Sequence, residues 1–265
     1  MSDLATLAEP YSTILCDIWG VVHDGAHLLP GASQRLAGWK DAGKTIILVT
    51  NAPRPAARVQ AGLDALGLPR TSYDAITSSG EAGVAALIEP PRSVGFIGTR
   101  DDRAGLSAHG VRIVDHDFTE VACAGLEPTE RPSDYTAELQ SLAGRDVLFH
   151  CLNPDREVIH MGQRMACAGA LADMYETMGG RVVWYGKPHA AIYEHALGLA
   201  GNPPKGEVLA IGDGPVTDML GAARFGLDAI FISEGINGGA PLPPDFVADH
   251  GLGDWRPIGT FPDLS

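Results

Sequence analysis

The chain has 265 residues, long enough to bury a sizeable core as one large domain or two small ones. Its 45% hydrophobic and 20% charged content is that of a soluble globular protein, and a formal net charge of −14 argues against nucleic acid and anionic membranes as partners, since nothing would offset phosphate repulsion. No apolar run approaches the roughly 18 residues of a membrane span, and the acidic stretch MSDLATLAEP is not expected to act as a signal peptide. Cys16, Cys123, Cys151 and Cys167 show neither a CxxC pair nor zinc spacing. They are expected to be buried free thiols in a reducing cytoplasm.

Residues 2–10 read as a short helix or arm. The apolar run Ile14-Leu15-Cys16 makes Thr13–Asp17 a strand and brings one carboxylate, Asp17, to its end. Open α/β sheets place their chemistry at such ends. Residues 19–30, with the turn His23-Asp24-Gly25, are an excursion that can form a small flap. Residues 31–42 have helical spacing at Leu36 and Trp39 and stop at Gly43. Residues 45–49 are a continuous β-branched apolar run, as in a strand covered on both faces. Thr50-Asn51-Ala52-Pro53 ends it, and a helical stretch follows to about Gly67. Strand, helix, strand, helix implies a parallel βαβ sheet. Right-handed connection then puts Thr50 and Asn51 near Asp17, although such a pair can also simply cap the next helix.

After a further strand-to-helix transition at residues 76–80 the texture changes. Short apolar runs at 94–97, 111–114, 121–125 and 147–150 alternate with helical stretches at 101–108 and 133–142, as in a second domain inserted into the first. Residues 163–178 read as a helix running into a strand at 181–184. Met161, Met165, Met174 and Met178 suit a core or a dimer face. Tyr185-Gly186-Lys187-Pro188 sets a lone lysine at a strand end, either in a solvated turn or facing an anion. Residues 207–218 form an apolar strand ending in Gly-Asp-Gly, with Asp213 at its tip and Asp218 about one turn into the next helix, able to point back. Carboxylates clustered at strand tips are costly unless something positive neutralises them. A hard divalent cation held by oxygen, Mg²⁺, is the economical answer; the alternative for Asp218 is a preference for a helix N-terminus.

Asp17, Thr50-Asn51, Lys187 and Asp213/Asp218 resemble, in order and setting, the four motifs of the haloacid dehalogenase-like (HAD) hydrolase superfamily. The insertion between the second and third motifs resembles the cap of its subclass IIA, the NagD-like and para-nitrophenyl-phosphatase-like branch. The resemblance covers essentially the whole chain, and its strings GDGPVTD, VTN and YGKP are specific in combination. It implies an α/β fold: a Rossmann-like parallel-sheet core over residues 1–80 and 184–265, with a smaller α/β cap over 81–183. It implies that Asp17 is a nucleophile that forms an aspartyl phosphate and also ligates Mg²⁺, as do Asp213, Asp218 and the backbone carbonyl of Trp19. Thr50 and Asn51 would hold phosphate oxygens, and Lys187 would neutralise the nucleophile and the developing phosphoryl charge. Asn153-Pro154-Asp155 resembles a string of this branch near the substrate entrance, so Asn153 and Asp155 are candidate substrate contacts; a plain turn is the other reading. Family members often self-associate through the cap, so a homodimer is a plausible partner state.

One position departs from the pattern. Phosphatases of the family usually carry a second aspartate two residues after the nucleophile, to protonate the leaving group and later activate water. Here that residue is Trp19. Losing a general acid/base costs roughly 10²–10⁴ in rate, about 3–5 kcal/mol. Three readings follow. The first is a Mg²⁺-dependent phosphatase of a small phosphorylated metabolite, a sugar phosphate or nucleotide, that favours good leaving groups or borrows a proton from His23 or Asp24. The second is an inactive phosphometabolite-binding sensor. The third is a dehalogenase, whose relatives place an aromatic residue at this position but need no metal carboxylates.

Overall fold

Runs of aliphatic and β-branched residues become strands with little or no exposed surface. A computed structural model describes residues 3–160, 163–235 and 238–265, so Ser2 and Met161 lie outside the described residues. In chain order the strands are β1 (Thr13–Asp17), β2 (Thr45–Thr50), β3 (Ala75–Ser78), β4 (Ser93–Ile97), β5 (Arg112–Ile113), β6 (Glu120–Cys123) and β7 (Leu148–Cys151). They continue as β8 (Glu157–His160), β9 (Gln163–Ala166), β10 (Val182–Trp184), β11 (Val208–Gly212), β12 (Asp228–Ile232) and β13 (Gly259–Phe261). Internal contacts divide the chain into two units, residues 1–50, 60–77 and 187–265, and residues 51–59 and 78–186.

The first unit is built on a six-stranded sheet of order β13-β12-β11-β1-β2-β3. β1 pairs in parallel with both β11 and β2, and β11 with β12. Every residue of β1 and β11 is buried, as a parallel strand covered on both faces requires. Ile47, Phe231, Tyr193 and Met219 anchor one core of this unit, each such side chain contributing about 1.5–3 kcal/mol on burial. Cys16 stands opposite Leu48 on one side and Ile211 on the other. The C-terminal ends of β1, β2 and β11 are therefore level. That alignment sets the positions of Asp17, Thr50 and Asp213.

The second unit holds a five-stranded parallel sheet of order β10-β7-β6-β4-β5. Its core gathers Phe149, Tyr175, Leu171 and Leu139, with Met174 and Met178 packed at the edge. Phe149 and Tyr175 stack at 5.2 Å, and the Tyr175 hydroxyl donates to the Val147 carbonyl at 2.5 Å. Residues 51–59 group with this unit for a visible reason. Gly80 N–H donates to the Ala52 carbonyl, Ser78 Oγ to the Arg54 carbonyl, and Ala56 N–H to Glu81 Oε2. These bonds tie the segment to the start of the helix Ser79–Ile88, whose first turn Ser78 Oγ also caps by accepting from Glu81 N–H.

The helix expected over 163–178 is corrected. Only Ala168–Thr177 is helical. Before it, β9 pairs antiparallel with β8 over four residues, and Arg164 bridges across to Glu157 at 2.6 Å. Gln-Arg-Met-Ala has good helix propensity and no β-branched residue, but pairing with Glu157–His160 overrides that weak local preference. The four cysteines are buried and free, as expected. Among the described residues no helix is long and apolar enough to cross a membrane.

Candidate active site

Three buried carboxylates meet at the level strand tips of the first unit. Asp17 ends β1, Asp213 follows the last residue of β11, and Asp218 returns to them through a wide helical turn, Pro215–Met219. Two backbone bonds shape that turn, since Asp218 N–H and Met219 N–H both donate to the Gly214 carbonyl, at 2.8 and 3.0 Å. Asp17, Asp213 and Asp218 each offer an oxygen within 4.8 Å of the others. Lys187 Nζ donates to Asp17 Oδ1 at 2.5 Å and to Asp218 Oδ1 at 2.8 Å. The second oxygen of Asp218 accepts from Gly214 N–H and from Thr217 Oγ1, each at 3.1 Å.

Gly20 completes the cluster's backing. Its φ of +81° favours glycine, and a Cβ there would strike Asp213 Oδ2. The chain thus passes in van der Waals contact with the carboxylate, three residues after the nucleophile candidate.

The electrostatics are lopsided. Burial, with Asp218 and Asp213 nearby, raises Asp17 above the ordinary carboxylate range, against the pull of Lys187. Burial works against the Lys187 charge, but Asp17 and Asp218 more than offset it and hold the ammonium above the usual lysine range. Three carboxylates against one ammonium leave an excess of buried negative charge. Their donor set is all oxygen and contains no soft ligand, which suits a hard divalent cation. The residues present therefore fit the metal expected from the sequence.

Thr50, the last residue of β2, lies beside β1 in the sheet. Asn51, one peptide bond on, belongs with the second unit. There Asn51 Nδ2 donates to Asp155 Oδ1 at 2.8 Å, and Asp155 N–H donates to Asn153 Oδ1 at 3.1 Å. Asn51, Asn153 and Asp155 are thus brought together by direct bonds, something their spacing in the chain does not suggest.

His23 and Asp24 serve their own turn. His23 Nδ1 accepts from Gly25 N–H at 2.9 Å, and Asp24 Oδ1 accepts from Ala26 and His27 N–H at 2.8 and 2.7 Å. Those backbone donors hold the Asp24 carboxyl below the usual range, while burial pushes His23 down. Two supporting residues escaped sequence reasoning. Thr217, inside the Gly-Asp-Gly-Pro-Val-Thr-Asp string, fixes the rotamer of Asp218, and Gly20 admits Asp213; the first was legible as a hydroxyl beside a metal carboxylate, the second only from the fold.

With this geometry in hand, comparison with known proteins is direct. The family model described as haloacid dehalogenase-like hydrolase matches residues 14–112, and a second, HAD-hydrolase-like, matches residues 184–254. A solved haloacid dehalogenase-like hydrolase from Brucella suis 1330 shares 37% identity, covers 100% of both chains and superposes with a TM-score of 0.85. The chain is a haloacid dehalogenase-like hydrolase. D-glycerol 3-phosphate phosphatase of Mycobacterium tuberculosis is 28% identical over 88% of this chain, which spans 66% of that enzyme's length. A glycerol phosphate phosphatase from the same organism, solved in complex with magnesium, has a TM-score of 0.74 at 25% identity, with 97% of this chain and 77% of that one covered. Ribonucleotide monophosphatase NagD of Escherichia coli is 26% identical over 84% of this chain and 88% of its own. These relatives are phosphatases of the branch that the motifs resembled.

Proposed function

We propose that the protein is a Mg²⁺-dependent phosphatase of a small phosphorylated metabolite, working through a phosphoryl group carried on Asp17. The observation that carries this reading is the buried Lys187 ammonium, which spans Asp17 and Asp218 beside Asp213 at level strand tips. Phosphoryl transfer asks for alignment and charge neutralisation more than for elaborate covalent chemistry.

Asp17, Asp213, Asp218 and the Trp19 carbonyl would hold the metal, which when bound would neutralise phosphoryl charge. The remaining chemistry belongs to the chain. Lys187 engages one Asp17 oxygen, favours its ionised form against burial and fixes its direction. The Asp17 carboxylate attacks phosphorus, and the bond to the leaving oxygen breaks with its electron pair on that oxygen. Thr50, beside it in the sheet, orients phosphoryl oxygens. Water then cleaves the aspartyl phosphate, which returns Asp17 as carboxylate and releases inorganic phosphate.

Position 19 bears on the second reading. With an indole where the family resemblance leads one to expect a carboxylic acid, a protein that binds phosphometabolites without turnover is the alternative. Phosphate release from acetyl phosphate, with Mg²⁺ and with a chelator, separates the two. Metal-dependent release supports the phosphatase; saturable binding with no release supports the sensor.

A further inference from the structure

Asn51, Asn153, Asp155 and Gly186 all belong to the second unit, and they meet around one side-chain amide. Asn51 is 6% exposed, and its Nδ2 donates to Asp155 Oδ1 at 2.8 Å. An ionised carboxylate only accepts, so this bond decides which way round the amide stands, with nitrogen towards Asp155 and oxygen away from it. The oxygen side is set just as closely. A Cβ on Gly186 would lie 2.6 Å from Asn51 Oδ1 and 2.5 Å from the Pro154 ring. With the amide held from both sides, the direction of its second N–H is fixed as well.

The turn that carries Asp155 is firmly built. Asp155 N–H donates to Asn153 Oδ1, an Asx turn, and Asn153 is itself 7% exposed. Successive carbonyls along the turn are all taken. The Asn153 carbonyl accepts from Cys151 Sγ at 3.2 Å and that of Pro154 from Arg156 Nη1 at 2.9 Å. The Asp155 carbonyl accepts from Gly169 N–H at 3.1 Å and that of Arg156 from Cys167 N–H at 2.9 Å. None of these bonds uses the Asp155 side chain. The turn keeps its shape without that carboxylate, which reaches out to the Asn51 amide instead.

We propose that Asp155 is a positioning residue for phosphoryl transfer, which acts through Asn51 and does not itself touch the substrate. The proposal rests on the phosphatase reading above and on the role that the family resemblance implies for Asn51, holding a phosphoryl oxygen. It replaces the substrate contact expected of Asp155 from the sequence. An amide able to turn over presents a phosphoryl oxygen with either an attractive N–H or a repulsive C=O. Asp155 removes that choice, because its carboxylate accepts from the nitrogen alone. A donor misplaced by about 1 Å can cost on the order of 10² in rate.

The test is a double-mutant cycle on the full chain with Mg²⁺: wild type, Asp155→Ala, Asn51→Ala and the two combined. Phosphate release is read from acetyl phosphate and from phenyl phosphate, with thermal midpoints alongside. Asp155→Ala is expected to lower kcat/KM about 10–10²-fold, by the same factor for both substrates. Asp155→Asn, whose Oδ1 still accepts, should recover most of that loss. In the Asn51→Ala background, Asp155→Ala should cost less than about twofold. A full further loss in that background, a loss that differs between the two substrates, or an unchanged kcat/KM in Asp155→Ala overturns the proposal and leaves the phosphatase reading standing. Where a single variant does not fold, Asn51→Asp combined with Asp155→Asn remakes the bond with donor and acceptor exchanged. The midpoint should then return and the rate should not; a wild-type rate in that pair overturns the proposal. No release from the wild-type chain with either substrate overturns the phosphatase reading itself, and the proposal with it.

Discussion

His150 in the second unit and Asp17 in the first are both buried and both paired, yet the clusters around them balance differently. His150, 2% exposed, places Nε2 2.8 Å from Glu120 Oε2 and Nδ1 2.8 Å from the Tyr185 hydroxyl. Glu120 accepts only, so neutral His150 carries its proton on Nε2 and Nδ1 accepts from Tyr185. Arg92 adds two further contacts to Glu120, at 3.0 and 3.1 Å. One carboxylate meets one guanidinium directly, and neutral His150 and Tyr185 complete the network. Around Asp17, three carboxylates face one ammonium, an arrangement that costs stability until a cation arrives. Charge balance thus separates a buried polar network that supports a fold from one that awaits a ligand.

That contrast can be broken at either end. The largest effect is expected for Asp17→Asn, which removes the proposed nucleophile; phosphate release from acetyl phosphate should fall by about 10⁴-fold or more. A residual rate within tenfold of wild type would move the covalent step elsewhere. Lys187→Met comes next. It leaves Asp17 and Asp218 buried without their shared cation, so thermal unfolding in chelator should show a loss of about 3–5 kcal/mol, and Mg²⁺ should recover part of it. Metal-independent stability in that variant would contradict the charge excess.

In the second unit, Glu120→Ala should lower stability by about 2–4 kcal/mol, because it leaves His150 Nε2–H and Arg92 without their acceptor. Unlike Lys187→Met, its loss should not respond to Mg²⁺. The smallest effect is a pH slope. Burial holds His150 below its ordinary 6.5, and Arg92 and His150 together hold Glu120 below its own usual value despite partial burial. The unfolded chain therefore takes up each proton first. Stability from these groups is full above pH 6.5 and falls as pH drops, first through the His150 window and then below about 4.5, by at most ~1.4 kcal/mol per pH unit for each group. His150→Gln should flatten the upper part of that slope in urea titrations; an identical slope would assign the acid sensitivity to other groups.

Much of the first cluster was legible from sequence. Strand-tip placement follows from apolar runs that end in Asp17 and Asp213, and the β1–β2 and β1–β11 registers make those tips level. What stayed hidden depends on tertiary pairing. The stretch Gln163–Ala166 carries a helical composition but lies in a hairpin, because its partner strand decides its state. The βαβ rule gave Asn51 its place after β2 but not the bond its amide makes to Asp155, far along the chain. The Glu120–His150–Tyr185 network gave no signal at all, since Glu120 and His150 are unremarkable in their strands and Tyr185 merely follows β10. Trp19 showed as a missing carboxylate; its seat on Gly25 needed the folded loop.

The most direct measurement is intact-protein mass after brief mixing with Mg²⁺ and acetyl phosphate, for wild type and Asp17→Asn side by side. A phosphate-sized adduct on the wild-type chain, absent from the variant, is the predicted result. Phosphate release with no adduct in wild type, or an adduct that persists in Asp17→Asn, would contradict phosphoryl transfer to Asp17.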